Sequence, residues 1–207
     1  MKKIKMQSQN TYIGDDKFTK MLEHYQCPTG LNLIKLRFAG AICSPNLNLR
    51  PTDVISSLWP QNQQPRLQTK EEAELFFKFF MGLWDDIFEQ VRDNKIELPK
   101  FKIKNAAELT ETCFQRQEEI EAGYLEGFWG GCDNVKIPAY IAQIVDSLSE
   151  LAEVYHHLSQ HQTNENELEN LIKTVAHTDK MVNRSIAFII ENSVLPRFEQ
   201  VSTGKTN

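Results

Sequence analysis

Disulfide chemistry is the first thing this chain lacks. Its four cysteines, Cys27, Cys43, Cys113 and Cys132, are scattered through 207 residues. None has the C-x-x-C spacing of a redox pair or the paired spacing that closes around zinc, so they are expected as reduced, buried thiols. Proline and glycine are sparse, at eight and nine, which excludes collagen-like and low-complexity chains. Long apolar runs are missing too. The longest nearly apolar stretch, Leu75 to Trp84, is interrupted by Lys78 and is about half the ~20 residues that cross a bilayer. The basic start, Met1-Lys2-Lys3-Ile4-Lys5-Met6-Gln7, is followed by polar residues rather than an apolar h-region. There is no arginine-rich block, and a net charge of −5 opposes nonspecific attraction to phosphate backbones. These absences predict a cytoplasmic chain with no membrane contact and no general affinity for nucleic acid.

What is present suits a helical domain. Hydrophobic residues at 41% and charged residues at 25% are ordinary for a globular protein, and the length buries a core without staples. Residues 1–14 and 199–207 are polar and are expected as flexible ends around one domain, 15–198. Phe18, Met21, Leu22 and Tyr25 recur at helical spacing over 15–25. The run 31–43 is compatible with strand or helix, and its length and alanines favour helix. Thr52 is expected to cap a two-turn helix, and Thr69, with Glu72 three residues on, to open a long one over 70–94 in a capping box. That helix is apolar around most of its middle, from Phe76 to Phe88, which predicts a place at the domain centre. Asn105 or Thr110 opens the next helix, which runs through Gly127. Pro138 reads as the first residue of a helix to about Gln160, and Pro196 as the end of a last helix from Glu165 to about Val194. No internal repeat or second domain is visible. The fold expected is an all-α, single-domain bundle of about six or seven helices.

Each cluster with chemical potential has two readings. Gly123 and Gly127, four apart, share a helix face and admit a neighbouring backbone. The rival reading, a phosphate-binding loop, needs a strand before the glycines, and the residues there are Glu-rich and helical. His157 and His161, also four apart, are sterically able to bind a metal with Glu153, although no H-E-x-x-H pattern is present. A solvated helix end, where histidines also suit the helix dipole, is the favoured reading. Asp85-Asp86 and Glu118-Glu119-Glu121 alternate with core positions, the pattern of a solvated face rather than of paired catalytic carboxylates. The local basic stretch Lys95–Lys104, with Lys100, Lys102 and Lys104, carries a further reading as a weak nucleic-acid contact. Trp84 and Trp129 read either as core or as an exposed apolar patch for another protein or a second copy of this one.

Three segments carry a family resemblance. These are Pro51 to Trp59, ending in an apolar-Trp step; Leu75 to Val91, with Met81, Trp84, Asp85 and Ile87 at matching spacing; and Tyr124-Leu125-Glu126-Gly127-Phe128-Trp129-Gly130-Gly131. In order and spacing they resemble the YecA/YgfB-like family of small bacterial all-helical proteins of uncharacterised function. The resemblance implies a helical domain in which Met81, Trp84, Ile87, Gly123, Tyr124, Gly127 and Phe128 are motif positions. Some members end in a Cys-rich zinc-binding tail, and 200–207 hold no cysteine, so no zinc function is implied. The combined expectation is a non-enzymatic protein without cofactor. It would act through contact with an unidentified protein partner, or as a homodimer, with Trp84 and Trp129 as the contact residues.

Overall fold

The structure, a computed structural model, describes residues 11–132 and 135–202, and of 200–202 the backbone alone. Most of the ends expected as flexible, 1–10 and 203–207, lie outside the described residues. The elements are α1 Asp15–His24, α2 Leu31–Cys43, α3 Pro51–Ser56, α4 Lys70–Arg92, α5 Ala106–Glu118, α6 Glu126–Trp129, α7 Ala139–Gln160, α8 Glu165–Ile189 and α9 Leu195–Ser202. A π-helical turn, Glu119–Leu125, joins α5 to α6, and a second, Ile190–Val194, joins α8 to α9. The nine helices therefore make seven rods, with no strand among the described residues. The all-α, single-domain bundle is as expected.

Helix starts follow local chemistry, with some corrections. Thr69 accepts the Glu72 amide at 3.1 Å as predicted, but the Glu72 carboxylate reaches back to the Gln68 amide at 2.7 Å, not to that of Thr69. Asn105, not Thr110, opens α5, its side chain accepting from the Glu108 amide at 2.9 Å. Thr52 is not a cap. Pro51 already occupies the first turn of α3, where its fixed φ and missing N–H are tolerated, and the Asp53 carboxylate takes the Arg50 amide at 3.1 Å. Pro138 lies one residue earlier than predicted, at the cap of α7 with extended ψ 143°.

Pro196 does not end the last rod. The helix passes through it to Ser202, because the π-turn immediately before it shifts the backbone register. In an unbroken α-helix the Pro196 nitrogen would serve the carbonyl of Asn192. That oxygen accepts instead from the Tyr140 hydroxyl, at 3.3 Å. Residues 11–14 are not frayed either: Tyr12 and Ile13 pack on the core, and the Thr11 carbonyl lies over Gly82 of α4.

The centre is held by α2, not by the aromatic α4. Helix α2 touches α1, α3, α4 and the stretch 119–129, while α5, α7 and α8 pack on one another as a second group. The rod 106–129 belongs to both groups, its first half among α7 and α8 and its second half against α2. Helix α4 is buried along Phe76, Phe80, Leu83, Ile87 and Val91 but leaves another face outward.

Small residues decide how near α2 comes to that rod. A Cβ at Gly40 of α2 would overlap the Tyr124 carbonyl oxygen and lie 2.9 Å from the Phe128 nitrogen. Reciprocally, a Cβ at Gly127 would overlap the Arg37 carbonyl oxygen and lie 3.0 Å from the Ala41 nitrogen. Gly123 is less confined, its Cβ position being 3.3 Å from the Leu36 Cβ. Backbone atoms cannot rotate away as side chains do, so Gly127→Ala must separate the two rods. The loss should be about 3 kcal/mol or more, beyond the ~1 kcal/mol that alanine gains over glycine in a helix. Gly123→Ala should stay within about 1 kcal/mol of the parent. Urea denaturation of the two variants checks this, and equal stabilities would contradict the close approach.

Candidate functional site

The motif positions divide between seam and rim. Gly123, Tyr124, Gly127 and Phe128 are buried against α2, and Ile87 is buried on the inner face of α4. Trp84 and Trp129 are half-buried. The Trp84 ring meets Phe38 edge-on at 5.2 Å, and Trp129 meets Phe128 in the same manner at 5.3 Å. Both lie at the rim of the core, between the two locations the sequence left open.

Trp84 belongs to a longer row. Lys70, Glu74, Phe77, Met81, Trp84 and Phe88 follow each other at alternating steps of four and three along α4, the spacing of a helix-pairing seam. The C-terminal part of the row is covered: Phe38 lies on Trp84, and Phe198 of α9 packs on Phe88 at 5.1 Å. The N-terminal part is left open by the described residues. Phe77 is 38% exposed and Met81 partly so, in a shallow groove of about 430 Å³ lined by Lys70, Ala73, Glu74, Phe77, Lys78 and Met81. Lys70 pairs with Glu74 at 3.4 Å along the helix. Sequence periodicity showed this row as the widened apolar stripe of α4 but could not say which side neighbours would cover.

A buried ionic cluster was not foreseen. Arg116 is fully buried and grips Asp179 of α8 with two bonds of 2.9 and 3.0 Å; it also donates to Glu119 at 2.5 Å and to the Pro99 carbonyl. The Tyr155 hydroxyl of α7 donates to Asp179 at 2.6 Å, and the Phe101 ring covers the guanidinium at 4.4 Å. Glu119, read from sequence as part of a solvated face, is 5% exposed. The signal was present in the register. Arg116 stands seven residues after Leu109 and three after Cys113, on the buried face of α5, and Asp179 lies between Val175 and Val182. Burial pushes the Glu119 carboxyl above the usual range although Arg116 opposes the shift, and burial and the Asp179 bond raise Tyr155. The polar atoms are committed to one another, so the cluster ties α5, α7, α8 and the segment 95–105 together rather than presenting a reactive group.

The metal reading loses its geometry. Helix α7 ends at Gln160, so His161 lies past the helix that carries Glu153 and His157, its backbone extended at φ −76° and ψ 129°. His161 lies 3.2 Å from Glu167, and His156 lies 3.1 Å from the Gln117 side-chain oxygen. Among the described residues no group of three or more His, Cys, Asp or Glu side chains is placed to hold a metal. Cys43 and Cys113 are buried as expected, and burial raises their thiols to about 12 and about 11. Cys27 is only half-buried, and Cys132 is exposed, beside the Asn46 amide at 3.2 Å. Lys100, Lys102 and Lys104 are exposed on the irregular segment after α4. No described helix is long and apolar enough to cross a membrane.

The cluster has measurable consequences. Arg116→Ala strands the buried Glu119 carboxyl and the partly buried Asp179 carboxylate and should cost about 3 kcal/mol in a denaturant titration. Because the folded state raises the Glu119 value above its ordinary 4.5, its contribution to stability is complete below that pH. It fades as pH rises through the raised folded value. Subtracting the Glu119→Gln stability curve from the parent curve should therefore leave a difference that declines from pH 4.5 toward neutrality; a difference that grows would reverse the assignment. Comparison of the chain with family models, curated proteins and solved structures finds no match in any of them.

Proposed function

We propose that this is a cytoplasmic, non-enzymatic helical module of the YecA/YgfB-like kind that works by protein contact through the outer face of α4. The observation that carries the reading is the uncovered half of the α4 row. A helix at the edge of a domain usually turns polar residues outward, yet here Phe77 and Met81 face water between Lys70, Glu74 and Lys78. Packing among the described residues does not require these two side chains, since the core edge of α4 is filled by Phe76, Phe80 and Leu83. An apolar centre with a charged rim is the anatomy of a contact surface. Trp84 borders that centre, half-buried as anchoring rings at contact sites often are. The family resemblance over 51–59, 75–91 and 124–131 supports the same helical frame. Trp129, at the far end of the 106–129 rod, is assigned to the frame rather than to the contact.

A photo-reactive phenylalanine analogue placed at Phe77 in the full chain, in its native cells, tests the reading. Discrete cross-linked products are expected from position 77 and not from the exposed position Glu150 on α7. Identical patterns from both positions would overturn the assignment of this face.

A further inference from the structure

We infer that the α4 face takes a second copy of this chain, laid antiparallel across a two-fold axis between Glu74 and Leu75. This rests on the contact reading above and names the occupant. The argument begins with charge. On the outer margin of the row, Glu71 and Lys78 are both exposed, stand seven residues apart and so share one helix edge. Neither has a partner among the described residues.

In an antiparallel pair, the edge position of one helix faces the equivalent edge of the other with the order reversed. Glu71 then meets Lys78 of the second copy, and the symmetry generates the same contact again. In a parallel pair this edge would face the opposite edge of the second helix, where Lys78 meets Ala73, and neither ionic contact forms. The face is therefore complementary to itself in one orientation only, which is the condition for a closed two-fold contact.

Size sets the strength. The open part of the row, 70–81, spans about 18 Å of helix axis at ~1.5 Å per residue. A strip of that length, about one helix wide, falls well below the ~800 Å² per partner of a stable interface. The pairing is therefore weak and concentration-dependent. The row does not extend further because Phe198 already covers Phe88.

Sedimentation equilibrium of the full chain, from a few to several hundred micromolar at low salt, provides the test. The mean mass should rise from 23.9 kDa toward twice that value. Lys78→Glu sets like charges together at both contacts and should weaken pairing about tenfold, as should Glu71→Lys. The double variant E71K/K78E restores opposite charges at both contacts and should recover the parent curve, a result that misfolding would not produce. Phe77→Asp should leave a monomer. A chain that stays monomeric throughout, or that pairs regardless of these changes, overturns the inference. If the monomeric chain still cross-links from position 77 to a different protein, only the occupant is wrong. If it also fails to cross-link, the contact reading falls with it.

Discussion

The contact between α2 and the stretch 119–129 is the constraint on which the rest of this structure depends. It brings backbone against backbone, at Gly40 beneath Tyr124 and Phe128 and at Gly127 beneath Arg37 and Ala41. Such closeness leaves almost no tolerance in the position of either rod. The rod 106–129 is also one wall of the α5, α7 and α8 group, so the seam sets how the two helix groups sit together. The π-turn at Glu119–Leu125 is part of the same arrangement. There the Glu126 amide bonds back to Glu121, five residues away, and the Ala122 carbonyl instead takes the Arg37 guanidinium at 2.8 and 2.5 Å. A carbonyl displaced from the α-helical ladder is thereby satisfied by the very helix that the glycines admit.

Arginine does this work repeatedly in the fold. Arg37 serves a freed carbonyl, Arg197 holds the last carbonyls of α2 at Cys43 and Ser44 with bonds of 2.8 and 2.7 Å, and Arg116 gathers two carboxylates and the Pro99 carbonyl. The planar fork of the guanidinium suits each task, because several N–H groups point in fixed directions. The Arg116 cluster differs in carrying net negative charge, one cation against two carboxylates. Burial of that excess raises Glu119, so the cluster gives orientation to α5, α7 and α8 more than it gives stability. An apolar replacement would pack the same space but would not dictate which helix faces which.

Much of this was legible in the sequence, and the failures share a cause. The start of α4 at Thr69, that of α5 at Asn105 and the shared face of Gly123 and Gly127 all rest on interactions within a few residues, which spacing encodes. The passage of the last helix through Pro196 does not, since it depends on a π-turn and on the hydroxyl of Tyr140, fifty-two residues before the Asn192 carbonyl it serves. The burial of Glu119 is hidden from the sequence for the same reason. Three acidic residues in a row of four look solvated until Arg116 and Asp179 are known to lie inside. The placing of α4 at the centre erred differently: its apolar residues cover more of the helix circumference than the core needs, and composition alone cannot tell a surplus from a requirement.

That surplus bears on function. The inner side of α4 already closes the core with Phe76, Phe80, Leu83 and Ile87, each at most 2% exposed. Phe77 and Met81 add little to that packing, and in water they lower solubility. Their neighbours Lys70, Glu74 and Lys78 keep the face wet and charged at its margin while leaving its centre dry, so the surface is suited to reversible rather than permanent burial. Trp84 and Phe88 continue the same row but are closed off by Phe38 and Phe198. The chain therefore treats one helical seam in two ways, sealing its C-terminal half with α2 and α9 and leaving its N-terminal half open. A row that the described helices seal over one half and leave open over the other is the form expected of a surface meant for another helix.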